Sequence, residues 1–394
     1  MKDIISKGQE VFMENYKQLP IVLTKGVGNC VYDSKGKKYL DFVAGIATNA
    51  LGYSYEPLQE AIKEQVDLLT HCSNLYFNEP SVEAAELLVK LSGLDKVFFC
   101  NSGAEANEAA LKLAKRYTNI YVDDKKTKIV TMKNSFHGRT IATVSVTGQT
   151  KYHEGFAPLF DGVVYTAFND IDALDKAVDD TTAILMIEPI QGEGGILPAD
   201  KAFLKKAREI CDEKQVVLIF DEVQCGIGRT GKAFAYEHYG VKPDIVSLAK
   251  GLGAGFAVGA IVASEEVSKG FVPGTHASTF GGNPIATTAA KVILKAIDDG
   301  PLLDNVTYTS THLSKGLTRL KSKHSIIVDV RGMGLMMAIE LSKPVGSIVM
   351  GALDKGLMLI NSGTHVVRFV PPLTITIKEI DEMLTILDSL LEDM

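Results

Sequence analysis

The chain has 394 residues, 46% hydrophobic and 23% charged, a balance typical of a folded globular protein of two or three domains with a large core. A formal net charge of -7 is small for this length and argues against a surface dedicated to nucleic acid. The five cysteines include no C-x-x-C pair, the first residues lack the apolar segment of a signal peptide, and the uncharged stretch 270–290 holds too many proline, glycine and polar residues for a membrane span. We therefore expect a cytoplasmic protein that binds neither nucleic acid nor a membrane.

Residues 1–55 are expected to form strands and turns, with a hairpin at DSKGKKYLDF (33–42). The central part alternates short apolar or β-branched runs with helical patterns such as those at 107–117 and 201–214. The runs predict buried strands: KVFFC from residue 96, KIVTM from 128, AILMIEPI from 183, VVLIFDE from 216, DIVSLA from 244 and AVGAIVA from 257. This alternation predicts an α/β domain with a mostly parallel sheet covered on both faces.

The C-terminal part holds two further strand patterns, IIVDV (326–330) and GLMMAIEL (334–341), and a final helix over 376–394. We expect the two chain ends to join in one smaller domain, with a helix across 284–299 as the connector. The predicted boundaries are 1–55 for the N-terminal part of the small domain, 56–299 for the large domain and 300–394 for the C-terminal part of the small domain.

Ser102 and Glu105, in CNSGAEANEAALKLA, have the spacing of a capping box, so we expect a helix to begin at Ser102. The first turn of that helix would offer free N–H groups and the positive end of the helix dipole, with Gly103 and Ala104 small enough for close approach. A phosphate could bind there. An ordinary capped helix without a ligand is the alternative interpretation.

The segment NSFHGRT (134–140) follows the KIVTM strand and groups Phe136, His137 and Arg139. Phe136 could stack on a planar ring, and Arg139 could bind a carboxylate through two hydrogen bonds. A core aromatic residue beside a solvated arginine is the alternative interpretation.

Asp221 and Glu222 stand at the end of the VVLIFDE strand, where open α/β sheets place their ligands. An acid at this position is suited to pair with a bound cation, although it could also cap a loop or face solvent. A metal site is not favoured, because no histidine lies at ligand spacing and His238 comes too late in the chain for a compact cluster.

Lys250 also follows a strand, in SLAKGLGAG (247–255), where glycines come directly after it. Partial desolvation would lower its pKa and supply a neutral amine able to form a Schiff base, although a surface lysine is the simpler interpretation of Lys250 alone. The glycines do not form a G-x-G-x-x-G dinucleotide loop. Together, the phosphate cradle, aromatic residue, acid and lysine are the parts that pyridoxal 5′-phosphate (PLP) requires.

The chain resembles the class III (ω-amino acid) family of PLP-dependent aminotransferases over nearly its whole length. The motifs that carry the resemblance occur in this order: GKKYLDFVAGIATNALGY, CNSGAEANEAALKLA, NSFHGRT, EPIQGEGG, DEVQCGIGRTG, SLAKG, STFGGNP and VVRFVPPL. The resemblance implies an α/β fold of PLP fold type I, with a mainly parallel seven-stranded sheet in the large domain and a smaller α+β domain from both chain ends. It also implies a homodimer with active sites at the subunit boundary.

Transferred motif by motif, the resemblance makes Lys250 the residue that bonds to PLP and then moves the reacting proton, and Asp221 the acid that keeps the pyridine nitrogen protonated. Gln224 would reach the phenolic oxygen of the cofactor. Phe136 would stack on the ring, with Val223 packed behind it. The phosphate contacts implied by the family pattern are Ser102, Gly103 and Ala104, together with Thr279 from the neighbouring subunit.

Substrate recognition falls to polar residues of the same pattern. Arg139 and Ser278 would contact the acylated donor. Arg368 would bind the α-carboxylate of glutamate or 2-oxoglutarate, and Glu193 would be its salt-bridge partner while the ω-amine donor is bound. The resemblance is strongest to members that convert N2-acetyl-L-ornithine and 2-oxoglutarate to N-acetyl-L-glutamate 5-semialdehyde and glutamate in arginine biosynthesis, so that reaction is expected here.

The chain departs from the family pattern at Thr48 and Tyr53, where valine and histidine are common, and at Ala257 and Ala277. We expect the first two near the substrate entrance, where they would bear on the acyl preference. The sequence leaves three alternatives open: another ω-aminotransferase acting on ornithine, 4-aminobutyrate or N-succinyl-diaminopimelate, an aminomutase of the same fold, and a binding protein of this fold without catalysis.

Overall fold

The strands predicted for the central part of the chain are present in the computed structural model, which describes residues 3–393. Within those residues the strands are β1 Leu23–Val27, β2 Cys30–Asp33, β3 Lys38–Asp41, β4 Lys96–Cys100, β5 Lys128–Met132, β6 Val163–Thr166, β7 Thr182–Ile187, β8 Ile190–Gln191, β9 Leu197–Pro198, β10 Val217–Asp221, β11 Ile245–Leu248, β12 Gly259–Ala263, β13 Ile327–Met333, β14 Met336–Leu341, β15 Leu357–Met358, β16 Ile360–Asn361 and β17 Val366–Phe369. The predictions for β4, β5, β7, β10, β11 and β12 are confirmed. β6 is a strand that the sequence analysis does not predict.

The predicted helices at 107–117, 201–214 and 284–299 are also present, as is the final helix predicted over 376–394, of which Met394 lies outside the described residues. Over residues 3–393 the helices are Ile4–Val11, Glu56–Leu68, Glu79–Ser92, Gly103–Tyr117, Ile141–Val146, Ile171–Ala177, Lys201–Lys214, Glu265–Ser268, Pro284–Asp298, Pro301–Lys323, Gly346–Asp354 and Ile377–Glu392, with a short helical turn at Ala44–Ala47. The expectation of only strands and turns in residues 1–55 is wrong at Ile4–Val11, a helix that buries none of its residues. No helix in this range is both long enough and apolar enough to cross a membrane.

The central sheet has seven strands in the described chain, in the order β4-β12-β11-β10-β7-β5-β6. Strands β11, β10, β7, β5 and β6 are parallel, whereas β12 is antiparallel to both of its neighbours. Alternate residues of β10 face opposite sides of the sheet: Leu218 and Phe220 belong to one hydrophobic cluster, and Val217 and Ile219 to another. The mainly parallel sheet with a core on each face is therefore confirmed.

The parallel strands direct three of the predicted site residues to one edge of this sheet. Asp221 is the last residue of β10, Lys250 begins a short turn just after β11, and Phe136 lies in the loop after β5. Because the carboxyl ends of parallel strands lie at the same edge, residues from distant segments meet there.

The two ends of the chain meet in a second sheet, β1-β2-β3-β15, in which β15 pairs with β3 in parallel. The predicted hairpin at 33–42 is formed by β2 and β3. Asn29 donates hydrogen bonds to Glu379 Oε2 at 2.9 Å and to the Thr374 carbonyl at 3.2 Å, which fastens the N-terminal segment to the final helix. A third sheet, β13-β14-β17-β16, carries Arg368. The domain boundaries at 1–55, 56–299 and 300–394 stay a prediction.

Candidate active site

A cavity of about 460 Å³ lies at the carboxyl edge of the central sheet. Its lining includes most of the predicted cofactor residues: Ser102, Gly103, Ala104, Phe136, Asp221, Val223, Gln224 and Lys250. Arg139 lines it as well. The structure adds Asn107 and Glu188, to which the sequence analysis assigns no part, and His137, which it names without a role.

Helix Gly103–Tyr117 begins at this cavity, as its capping-box spacing predicts. Ser102 Oγ accepts a hydrogen bond from the Glu105 N–H at 3.2 Å, and Glu105 Oε2 accepts one from the Asn101 N–H at 3.1 Å. Gly103 is packed so closely that an added Cβ would lie 2.8 Å from Val223 Cγ1. Only glycine therefore fits at this position without moving Val223, and the first turn presents the positive end of the helix dipole to the cavity that Gly103 lines.

Asp221 is a buried carboxylate whose position is fixed by hydrogen bonds on both oxygens. Oδ2 accepts from Asn107 Nδ2 at 2.7 Å and lies 2.8 Å from His137 Nδ1, while Oδ1 accepts from the Val223 N–H at 3.0 Å. Burial alone would lower the pKa of His137, but its hydrogen bond to Asp221 and the charge of that carboxylate raise it overall. The sequence indicates a role for Asn107 only in that it is a polar residue on the buried face of an amphipathic helix.

Lys250 begins the 3-10 turn Lys250–Gly253, and its φ of 43° lies in the left-handed region. Such a conformation is strained for a residue with a side chain, and strain of this kind clusters at functional sites. Burial lowers the pKa of Lys250, and the charges of Glu193 and Asp221 oppose part of that effect. The direction is the one that favours a neutral, nucleophilic amine.

Phe136 is half-buried at the cavity wall, and its backbone N–H donates to Glu188 Oε2 at 3.0 Å. The Arg139 guanidinium carbon lies 4.2 Å from the ring centre of Tyr152 and 5.5 Å from that of Phe136. These cation–π contacts hold an exposed arginine at the mouth of the cavity, where its donors can meet a carboxylate.

Arg368 and Glu193 form an ion pair beside the cavity. Arg368 is 1% exposed, its Nη1 lies 2.5 Å from Glu193 Oε1, and the same nitrogen donates to Gln224 Oε1 at 3.1 Å. Burial would raise the pKa of Glu193, but the charge of Arg368 lowers it overall. Among the described residues, Arg368 Nε is buried without a hydrogen-bond partner. The guanidinium thus has donor capacity left for a second carboxylate.

Ser278 and Thr279 are not brought into the cavity lining of this chain. Ser278 Oγ accepts hydrogen bonds from Asn101 Nδ2 and from the Gly281 N–H, each at 3.1 Å, so it lies close to the helix start at Ser102. Thr279 is exposed. Its predicted contact with the phosphate of a neighbouring subunit stays a prediction.

Of the two unusual residues expected near the substrate entrance, only Thr48 lines the cavity. Tyr53 is not part of that lining, and its expected place near the entrance stays a prediction. Its hydroxyl donates to Asp41 Oδ2 at 2.7 Å, and Asp41 Oδ1 accepts from the Val43 and Ala44 N–H groups at 2.8 Å each. Tyr53 therefore acts on the turn that carries Thr48.

Solved structures share this fold. The ornithine aminotransferase from Toxoplasma gondii ME49 aligns with a TM-score of 0.95 at 32% identity, covering 99% of this chain and 94% of that one. A second structure of the T. gondii enzyme has PLP at partial occupancy in its active site (TM-score 0.93, 32% identity, 98% and 93% covered). The N-acetylornithine aminotransferase from Stenotrophomonas maltophilia K279a aligns with a TM-score of 0.85 at 36% identity, with 99% of each chain covered. The fold and the site define a PLP-dependent enzyme of fold type I.

The model of the family "Aminotransferase class-III" matches residues 11–391, and the chain belongs to that family. Its relatives include the acetylornithine aminotransferase of Caldanaerobacter subterraneus subsp. tengcongensis, 51% identical over 393 residues, which are 99% of this chain and 100% of the relative. The acetylornithine aminotransferase of Methanocaldococcus jannaschii is 47% identical over 382 residues, covering 97% of this chain and 96% of that protein.

Proposed function

We propose that the protein transfers the terminal amino group of N2-acetyl-L-ornithine to 2-oxoglutarate, giving N-acetyl-L-glutamate 5-semialdehyde and L-glutamate, a step of arginine biosynthesis. The observation that carries the proposal is the meeting of Lys250, Asp221 and the helix start at Ser102 in one cavity. The chain is 51% identical over 393 residues to an acetylornithine aminotransferase.

The residues of the cavity fit PLP. The first turn after Ser102 would offer N–H groups and a positive dipole to a phosphate, and Gly103 and Ala104 line the cavity there. Phe136 offers a ring face, and Asp221 a buried carboxylate for a protonated ring nitrogen. When bound, PLP supplies an electrophilic carbon and an electron-accepting ring.

Asp221 and Lys250 would handle the protons. Asp221, held by Asn107 and His137, would keep a proton on the pyridine nitrogen, because a fixed buried carboxylate favours a cation next to it. The lowered pKa of Lys250 supports its role as the amine that bonds to the cofactor. Once released by the incoming amine, Lys250 would act as the general base for the proton on the substrate carbon and then as the general acid that delivers this proton to the cofactor.

Two arginines would separate the two substrates. Arg139, exposed at the cavity mouth, would bind the carboxylate of the acylated donor together with Ser278. Arg368 would stay paired with Glu193 while that donor is bound, so its charge is neutralised. The second substrate is a dicarboxylate, and its α-carboxylate would displace Glu193 and bind the donors of Arg368, including Nη1, which Glu193 occupies in this structure, and Nε, which has no partner.

A homodimer is part of the same proposal. Large apolar side chains are exposed on the segment 68–77 and next to Thr279: Leu68, Leu75, Tyr76, Phe77 and Phe280. Asn74 Nδ2 donates to the Ser278 and Gly281 carbonyls at 2.9 Å and 2.8 Å, which ties the two segments into one surface. A surface of this kind is suited to subunit contact and would carry Thr279 to a neighbouring site. The cytoplasmic location and the residue roles above are likewise proposals.

Ornithine is the second candidate donor, because the ornithine aminotransferase from T. gondii aligns with a TM-score of 0.95. Rates of the first half-reaction with acetylornithine, ornithine, succinylornithine and 4-aminobutyrate, measured on one preparation, would decide between these donors. A higher rate with ornithine than with acetylornithine would reject the proposal. Product formation from one substrate without 2-oxoglutarate would point instead to an aminomutase.

A further inference from the structure

Glu188 is a carboxylate in the cavity wall that the proposed reaction does not use. It follows β7, is 5% exposed and lines the cavity. Its two oxygens accept hydrogen bonds from backbone groups on two different loops: Oε2 from the Phe136 N–H at 3.0 Å, and Oε1 from the Gly192 N–H at 3.2 Å. One loop therefore supplies the ring contact, and the other leads directly into Glu193.

The two loops are also packed against each other. An added Cβ at Gly194 would come within 2.8 Å of the Asn134 carbonyl oxygen, so no space separates them. The Gly192 carbonyl accepts a hydrogen bond from Ser362 Oγ at 3.0 Å, in the segment that leads to Arg368 on β17. Gly192 is thus held through its N–H by Glu188 and through its carbonyl by Ser362, in the loop between β16 and β17.

A second buried glutamate shows what a purely structural role looks like in this protein. Glu222 also accepts two backbone hydrogen bonds, from the Ala235 and Tyr236 N–H groups at 2.7 Å each. Both of its donors belong to one short turn, and Glu222 is not part of the cavity lining. Burial raises the pKa of both glutamates, so both side chains are kept at a cost in desolvation. The two glutamates differ in their partners: Glu188 joins two separate loops, whereas Glu222 contacts one short turn.

We infer that Glu188 is a positioning residue that couples the Phe136 loop to the turn carrying Glu193, so that cofactor binding and the Glu193–Arg368 ion pair change together. The inference rests on the proposed function, because it takes Phe136 as the ring contact and Glu193 as the group that the second substrate displaces. It requires that a substitution at Glu188 change both the binding of PLP and the Glu193–Arg368 ion pair.

The test is Glu188→Gln with Glu222→Gln as the matched control. Glutamine keeps one acceptor oxygen and turns an NH2 group toward the other backbone N–H, so one accepted hydrogen bond is lost in each variant. For Glu188→Gln we expect the dissociation constant of PLP from the apoprotein to rise about tenfold. We also expect the KM for 2-oxoglutarate to rise relative to that for acetylornithine. Glu222→Gln should lower the melting temperature and leave both quantities unchanged.

Two results would overturn the coupling. One is a Glu188→Gln protein that loses thermal stability but keeps its PLP affinity and its ratio of KM values for 2-oxoglutarate and acetylornithine. This result is expected if Glu188 has only a structural role. The other is a change in PLP affinity with no change in the KM ratio, which would leave Glu188 as a support of Phe136 alone.

Hydrogen exchange of the unmodified protein provides the measurement if Glu188→Gln does not fold. On addition of PLP to the apoprotein, peptides covering 133–140 and 188–195 should gain protection together. Protection of the first peptide alone would refute the coupling. Neither this experiment nor the PLP titration needs turnover, so failure of the unmodified protein to use acetylornithine would reject the proposed function separately.

Discussion

Replacing Gly103 with alanine tests whether the start of helix Gly103–Tyr117 is shaped for a ligand. The new Cβ would lie 2.8 Å from Val223 Cγ1 and 3.2 Å from Cγ2, so the valine side chain has to move. In the apoprotein it can turn into the cavity, but bound PLP would close that route. Overpacking of this kind costs about 1–3 kcal/mol. If the cost falls on the bound state, the PLP dissociation constant should rise by about 5- to 150-fold.

Fluorescence titration of the apoprotein with PLP measures this effect. Gly346 is the matched control: it is also the first residue of a helix, Gly346–Asp354, but an added Cβ there meets nothing within 4 Å. Gly346→Ala should therefore bind PLP as the unmodified protein does. Gly103→Ala should cost less affinity when it is added to Val223→Ala than when it is made in the unmodified protein, because the contacted methyl groups are gone. Unchanged affinity in Gly103→Ala alone would refute the reasoning.

Further predictions concern the lysine, the donor arginine and the buried histidine. Lys250→Ala should lower turnover by about 10²- to 10⁴-fold. Borohydride reduction should attach PLP permanently to the unmodified protein, and peptide mass analysis should locate the adduct at Lys250. An adduct on a different residue would reject the role of Lys250. Arg139→Gln should lower kcat/KM for acetylornithine by about 10- to 100-fold with little effect on glutamate, and an equal fall for both would contradict its role. The pKa of His137 is raised in the folded protein, so its pairing with Asp221 stabilises the fold fully at pH values below 6.5, the ordinary pKa of histidine. As the pH rises through the folded-state pKa, His137 loses its proton and this stabilisation is lost. Between about pH 6 and about pH 9, the melting temperature of the His137→Gln apoprotein should therefore decline less than that of the unmodified apoprotein. An equal decline would exclude the His137–Asp221 pair as the cause.

The central strands are predictable because burial on both faces leaves an uninterrupted apolar run. Every residue of β7 and β10 is buried, and both appear in the sequence as such runs. β6, at the edge of the sheet, is only four residues long and has one fully buried residue, Thr166, so it gives no comparable signal. The exposed helix Ile4–Val11 escapes prediction for the same reason, because it contributes no buried face.

The cofactor side of the site is more predictable than its supporting residues. The helix start at Ser102 and the strand ends before Asp221 and Lys250 follow from neighbours along the chain, and the family motifs contain them. Tyr53 belongs to a motif as well, but its motif gives no sign of the hydrogen bond that its hydroxyl donates to Asp41.

What the sequence by itself determined is therefore local: where the central strands run, where helix Gly103–Tyr117 begins, and which residues follow the strand ends. What only the tertiary structure decided is how those residues are supported. Asn107 reaches Asp221 across 114 positions, and Glu188 reaches the Phe136 N–H across 52. No spacing or periodicity encodes these contacts, because they exist only once parallel strands from distant segments have become neighbours and brought their loops to one edge of the sheet.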